Sequence, residues 1–105
     1  MELTAKERKT KREMLGYFKE NLTNRGGWHQ PFIDTVDRYM GMWETRISLQ
    51  RDIKKRGVQI ETERGPKKND SVALLVSINK QMDLTLSKLG IDPPAPIKGD
   101  DGADV

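Results

Sequence analysis

The sequence predicts a mainly α protein: a hairpin of two long helices with a short β-hairpin between them, preceded by a basic N-terminal helix and assembled as an oligomer. Three observations predict it. Apolar residues recur at spacings of three and four along three segments. Gly26-Gly27, Pro31, Gly57 and Gly90 fall at the ends of those segments. The apolar helical surface also exceeds what a chain of 105 residues can shelter alone.

The first helix is expected from about Thr4 to Leu22 within an N-terminal segment 1–25. Thr4 and Glu7 have the spacing of a capping box, each side chain satisfying a free backbone N–H at the helix start. Met14, Leu15, Phe18 and Leu22 gather on one side of its wheel, and Arg8, Lys9, Arg12 and Lys19 on another. Phosphate contact along that basic face and simple solvation are both open. Asn24-Arg25-Gly26-Gly27 opens a linker, 26–31, because paired glycines leave the backbone too free for regular structure. His29 is read as a residue of this linker.

A core region, 32–92, follows. Its first helix is expected from about Pro31 to Arg56, roughly 38 Å long. Pro31 suits a first turn, where its missing N–H would be unpaired anyway. Phe32, Val36, Tyr39, Trp43 and Ile47 form the stripe, widened by Ile33, Met40 and Ile53. Close packing against another helix is a reason for Gly41 within it. Lys54-Lys55-Arg56 complement the helix dipole in the last turn, with phosphate binding as a second use, and Gly57 supplies the left-handed stop.

Val58-Gln59-Ile60-Glu61-Thr62 alternates like a half-buried strand. Glu63 to Pro66 reads as a turn and Lys67-Lys68 as a short return, giving a β-hairpin at about 58–68. Such a hairpin is marginal alone and should dock on the helices or on a neighbouring chain. Asn69, Asp70 or Ser71 caps the last helix, which runs to Leu89 and stops at Gly90. Its apolar residues, from Leu74 round to Val76, sweep roughly 200°, about twice what a surface helix needs. That width predicts packing on two fronts, the second being another copy. The residues expected at that interface are Trp43, Ile47, Leu75, Asn79, Met82 and Leu86. Asn79 either fixes register in the assembly or bonds the hairpin or linker backbone. Beyond it, 93–105 is a Pro-rich then acidic tail, unstructured or docking.

Charge is uneven. The chain carries 19 Lys+Arg against 16 Asp+Glu, a net +3. Residues 1–57 hold the surplus and the tail is acidic, which points the first half toward a polyanion. There is no cysteine and one histidine, so disulfides and a metal site lack ligands. No apolar run approaches a membrane span, and Met1-Glu2-Leu3-Thr4 lacks the apolar stretch of a signal peptide, so the chain is expected to stay in the cytosol where it is made. Ser48, Ser71, Ser77 and Ser87 have no histidine near in sequence, and the Walker spacing around Gly65 is absent. No catalytic residue and no cofactor are expected.

The stretch from Phe32 through Pro96 resembles the phage terminase small subunit family of the P-twenty-seven type. The resemblance rests on Tyr39 and Trp43 in a long helix, the run ending Lys55-Arg56-Gly57, and extended Val58-Gln59-Ile60. It continues with Gly65-Pro66-Lys67-Lys68-Asn69, then Asn79, and closes on Leu89-Gly90-Ile91-Asp92-Pro93. Asp70 departs from the proline frequent in the family, and the acidic tail departs from basic relatives. The resemblance implies a non-catalytic recognition component of a DNA-packaging motor in the host cytoplasm. Its implied partners are double-stranded viral DNA, further copies of itself in a ring, and a large ATPase/nuclease subunit. Arg8, Lys9, Arg12, Lys19, Lys54, Lys55, Arg56, Arg64, Lys67 and Lys68 are the expected phosphate contacts. A helical adaptor that binds no nucleic acid is the alternative.

Overall fold

A computed structural model describes residues 2–91. The tail expected over 93–105 lies outside the described residues. Helix α1 spans Ala5–Asn24, α2 Phe32–Arg56 and α3 Asp70–Lys88, with strands β1 (Gln59–Thr62) and β2 (Gly65–Lys68) between α2 and α3.

The capping box forms as the sequence predicts: the Glu7 N–H donates to Thr4 Oγ1 at 3.1 Å, and the Thr4 N–H to Glu7 Oε1 at 2.8 Å. At the other end of α1 the structure adds to the sequence reading. Gly26 and Gly27 lie in the connection between α1 and α2 and also stop the helix. With Gly26 at φ 71°, its N–H reaches the Thr23 carbonyl (3.0 Å) and the Gly27 N–H reaches that of Leu22 (2.7 Å). This is a Schellman closure, which satisfies carbonyls the helix end would leave unpaired. Helix α3 closes the same way, with Gly90 bonded to Ser87 and Ile91 to Leu86, both at 2.9 Å.

Helix α2 is the spine. It bonds α1 from Arg51 to Glu7 at one end and packs Tyr39 on Phe18 at the other. It meets α3 from Asp52 and Ser71 at one end to Tyr39 and Leu86 at the other. Both neighbours therefore run antiparallel to α2. The core is one cluster: Phe18 and Leu22 from α1, Val36, Tyr39, Met40, Trp43 and Ile47 from α2, and Met82, Leu86 and Leu89 from α3 and its stop. The Phe18 and Tyr39 rings meet edge to face, 5.2 Å apart at 71°, a favoured aromatic geometry. Burial pushes the Tyr39 phenol up from its ordinary value.

Long-range polar contacts tie the helices at both ends. Lys11 Nζ pairs with Glu44 Oε2 at 2.8 Å, and Arg51 Nη1 donates to the Glu2 carbonyl at 2.8 Å while its Nη2 binds Glu7. At the far end Arg25 Nη2 donates to the Leu89 carbonyl at 2.6 Å. Arg25 lies so close over Gly90 that a Cβ there would come within 2.7 Å of its Nη1, and Gly90 also sits at φ 76°. A side chain at 90 would be strained by that φ and would push the Arg25 guanidinium off the Leu89 carbonyl.

Three other expectations change. Phe32 is exposed rather than part of the core stripe. Gly41 faces open space, with nothing within 4 Å of a built Cβ, so no packing within the protomer explains it. The hairpin does not lie down on the helices, which leaves a neighbouring chain as the other place expected for it. Its strands pair antiparallel with Gln59 opposite Lys68 and Thr62 opposite Gly65, so Gly65 and Pro66 belong to β2 rather than to the turn. Most of its residues are exposed. Only its base is held, where the buried Asn69 donates from its backbone N–H to the Val58 carbonyl (2.8 Å) and from Nδ2 to that of Gly57 (2.9 Å).

Candidate nucleic-acid interface

The hairpin base is built around Asp52. Its carboxylate accepts from Arg56 Nε (2.7 Å) and Nη2 (2.9 Å), from Ser71 Oγ (2.6 Å) and from Asn69 Nδ2 (3.1 Å). Asn69 Oδ1 in turn accepts from the Ser71 N–H at 3.0 Å, the N-cap bond of α3. One carboxylate thus joins the last turn of α2, the start of α3 and the root of the hairpin. The Arg56 hydrogen bonds, then that of Ser71, hold the Asp52 carboxyl far below the usual carboxylate range, and Asp52 raises Arg56. Because the folded-state value is depressed, this stabilisation is complete above the unfolded carboxyl's value of about 3.9 and is lost as pH falls below it. The urea midpoint should therefore drop as pH goes from about 4.5 toward 2. Asp52→Asn should show a smaller drop and a lower midpoint at neutral pH.

This network gives one expected phosphate ligand a second task. Arg56 holds Asp52 and Asn69 and so clamps the hairpin root, with about half of its side chain exposed. Lys54 and Lys55 are exposed beside it. Arg64 sits in the two-residue loop of the hairpin and Lys67 and Lys68 on β2, all exposed. Lys67 is 4.0 Å from Asp70 at the surface, a pairing of little worth in water.

The start of α1 comes to the same end of the molecule, because Arg51 in the last turns of α2 holds Glu7 and the Glu2 carbonyl. Arg8, Lys9 and Arg12 are exposed there; Arg8 Nη1 also donates to the Leu3 carbonyl at 2.7 Å. Glu7 and Asp52, two acids that would offset these cations, are paired with Arg51 and Arg56. Glu61 and Glu63 are the carboxylates of the hairpin itself. Lys19 stands apart, about 16 Å along α1 from Arg8. Sequence periodicity missed Arg51, whose partner Glu7 lies 44 residues away, and the Ser71 contact of Asp52, 19 residues away; the Asp52–Arg56 pair had the local i,i+4 spacing that could have found it.

The expected interface residues divide. Trp43, Ile47, Met82 and Leu86 are buried in the protomer's own core, 2–8% exposed, so they have no surface left for a second copy. Leu75 is half-buried, and Asn79 is exposed and bonds neither the hairpin nor the linker. Other α3 residues are exposed instead: Leu74, at 55%, beside Met42 and Leu49 of α2, and Val76 and Leu84, at 67% and 47%, on the side away from it. The wide arc is real, but its centre faces α2 and only its margins are free.

A family model described as phage terminase, small subunit, matches residues 16–96. The chain belongs to that family. Neither a curated protein nor a solved structure matches it. The terminase match takes in α2, the hairpin and α3, and with them Lys19, Lys54, Lys55, Arg64, Lys67 and Lys68. Arg8, Lys9 and Arg12 precede it, so of the expected phosphate contacts these three α1 cations lie outside the matched region. Among the described residues, no helix is long and apolar enough to cross a membrane, and no cluster of three potential metal ligands occurs.

Proposed function

We propose that this terminase small subunit is the non-catalytic DNA-recognition component of a phage packaging machine. It works in the host cytoplasm as a homo-oligomeric ring that binds double-stranded viral DNA and presents it to the large ATPase/nuclease subunit. One observation carries the reading: exposed cations from α1, the end of α2 and the hairpin lie at one end of the protomer, where Glu7 and Asp52 are already paired with Arg51 and Arg56. Phosphate oxygens are the ligands such a surface fits, because Lys and Arg on projecting elements reach the backbone without reading bases. A hairpin held only at its root can adjust to a groove or a strand. Repetition around a ring raises effective concentration, so weak protomer contacts add into firm binding. The outer α3 residues Val76 and Leu84 supply the apolar surface for self-assembly.

The test is a DNA titration across salt concentrations. Log affinity should fall linearly with log salt, because each phosphate neutralised releases counterions. Arg8→Glu with Arg12→Glu should reduce the slope by about two per engaged protomer, with the native mass unchanged. An unchanged slope removes α1 from the interface. An assembly that never retards DNA is the adaptor instead.

A further inference from the structure

An apolar groove of about 410 Å³ runs between α1 and the end of α3. Met14, Tyr17, Phe18, Tyr39 and Leu86 line it, and Ile91 forms one wall. Tyr17 is 54% exposed at this site although the adjacent Phe18 is buried, so an aromatic ring stands half-covered beside an apolar trough. The chain arrives at the groove through Ile91. The residues that follow at once are Asp92-Pro93-Pro94-Ala95-Pro96-Ile97, and the family match continues through residue 96.

We propose that the groove seats the chain's own segment 93–97. Proline-rich segments in the polyproline II form dock on aromatic-lined grooves because they lose little conformational entropy on binding. Reach agrees. Phe18 and Thr10, which both border the groove, are about 12 Å apart along α1. Five residues of polyproline II extend about 16 Å. Charge agrees as well. Past this seat come Asp100 and Asp101. One helical turn before Thr10 and Glu13 stand the exposed Lys6 and Lys9, where α1 and the acidic stretch attract. Intramolecular attachment makes even a weak site well occupied, since the tether sets a high local concentration.

The absence of native cysteine allows a direct test in the full chain by disulfide trapping. Glu13→Cys at the groove rim is combined with Ala95→Cys. The control combines Ala95→Cys with Ser87→Cys, which is exposed on α3 and closer along the chain. Both Cys substitutions on the helices replace exposed side chains, so the fold is kept. In oxidised glutathione the Glu13–Ala95 pair should close within one chain at least about tenfold faster than the control pair. Equal rates for the two pairs would overturn the proposal. Cross-linked dimers in place of the intrachain bond would overturn it too, by showing that a second copy fills the groove.

Discussion

Trp43→Ala is expected to destabilise the fold by about 3–5 kcal/mol, a large part of the total stability of a domain this size. Trp43 lies at the middle of α2 and is 5% exposed, inside the cluster that all three helices share. Removing the indole leaves a cavity the flanking helices cannot close, because α1 and α3 are each pinned to α2 at their ends by Arg51, Asp52 and Lys11. Urea denaturation followed by circular dichroism measures the loss. A change below about 1 kcal/mol, the range of surface substitutions, would show that the indole is not where the core is sealed.

Val76→Glu combined with Leu84→Glu is expected to break the proposed oligomer into protomers of 12.0 kDa without unfolding them. Both side chains are exposed on the outer side of α3, so carboxylates there remain solvated in the single chain. Between copies they would be desolvated and would face their own symmetry mates, which is costly on both counts. Native mass and far-ultraviolet circular dichroism separate the two effects. A native mass unchanged from that of the unsubstituted chain would place the contact between copies elsewhere.

Local signals in the sequence were easy to read because their causes are local. Thr4 and Glu7 specify the start of α1 within one turn, and Gly57 and Gly90 mark the ends of α2 and α3. Glycine pairs are less decisive: Gly26-Gly27 reads as slack but closes a helix, since a left-handed residue followed by a bonded N–H looks the same in sequence as a flexible joint. Pro66 reads as turn because proline cannot serve a central strand, yet a two-stranded ribbon has only edges and tolerates it. A helical wheel gives the width of an apolar face but not who covers it. That is why Trp43, Ile47, Met82 and Leu86 look available to a partner while α1 and the α2–α3 contact already enclose them. The candidate interface was half legible. The cations are plain in the sequence, but their gathering at one end depends on Arg51 reaching Glu7 and on Asp52 fixing the hairpin root. Arg56 stands apart from Lys54 and Lys55 by its i,i+4 spacing from Asp52, but its bond to Asn69 shows only in the fold.

Equilibrium binding of the unsubstituted protein to duplex DNA between about 50 and 200 mM salt tests the phosphate-contact claim most directly. With Arg8, Lys9, Arg12, Arg64, Lys67 and Lys68 engaged, the slope of log affinity on log salt should be about −5 per protomer in contact. Affinity that is absent at low salt, or that stays flat as salt rises, would contradict the account.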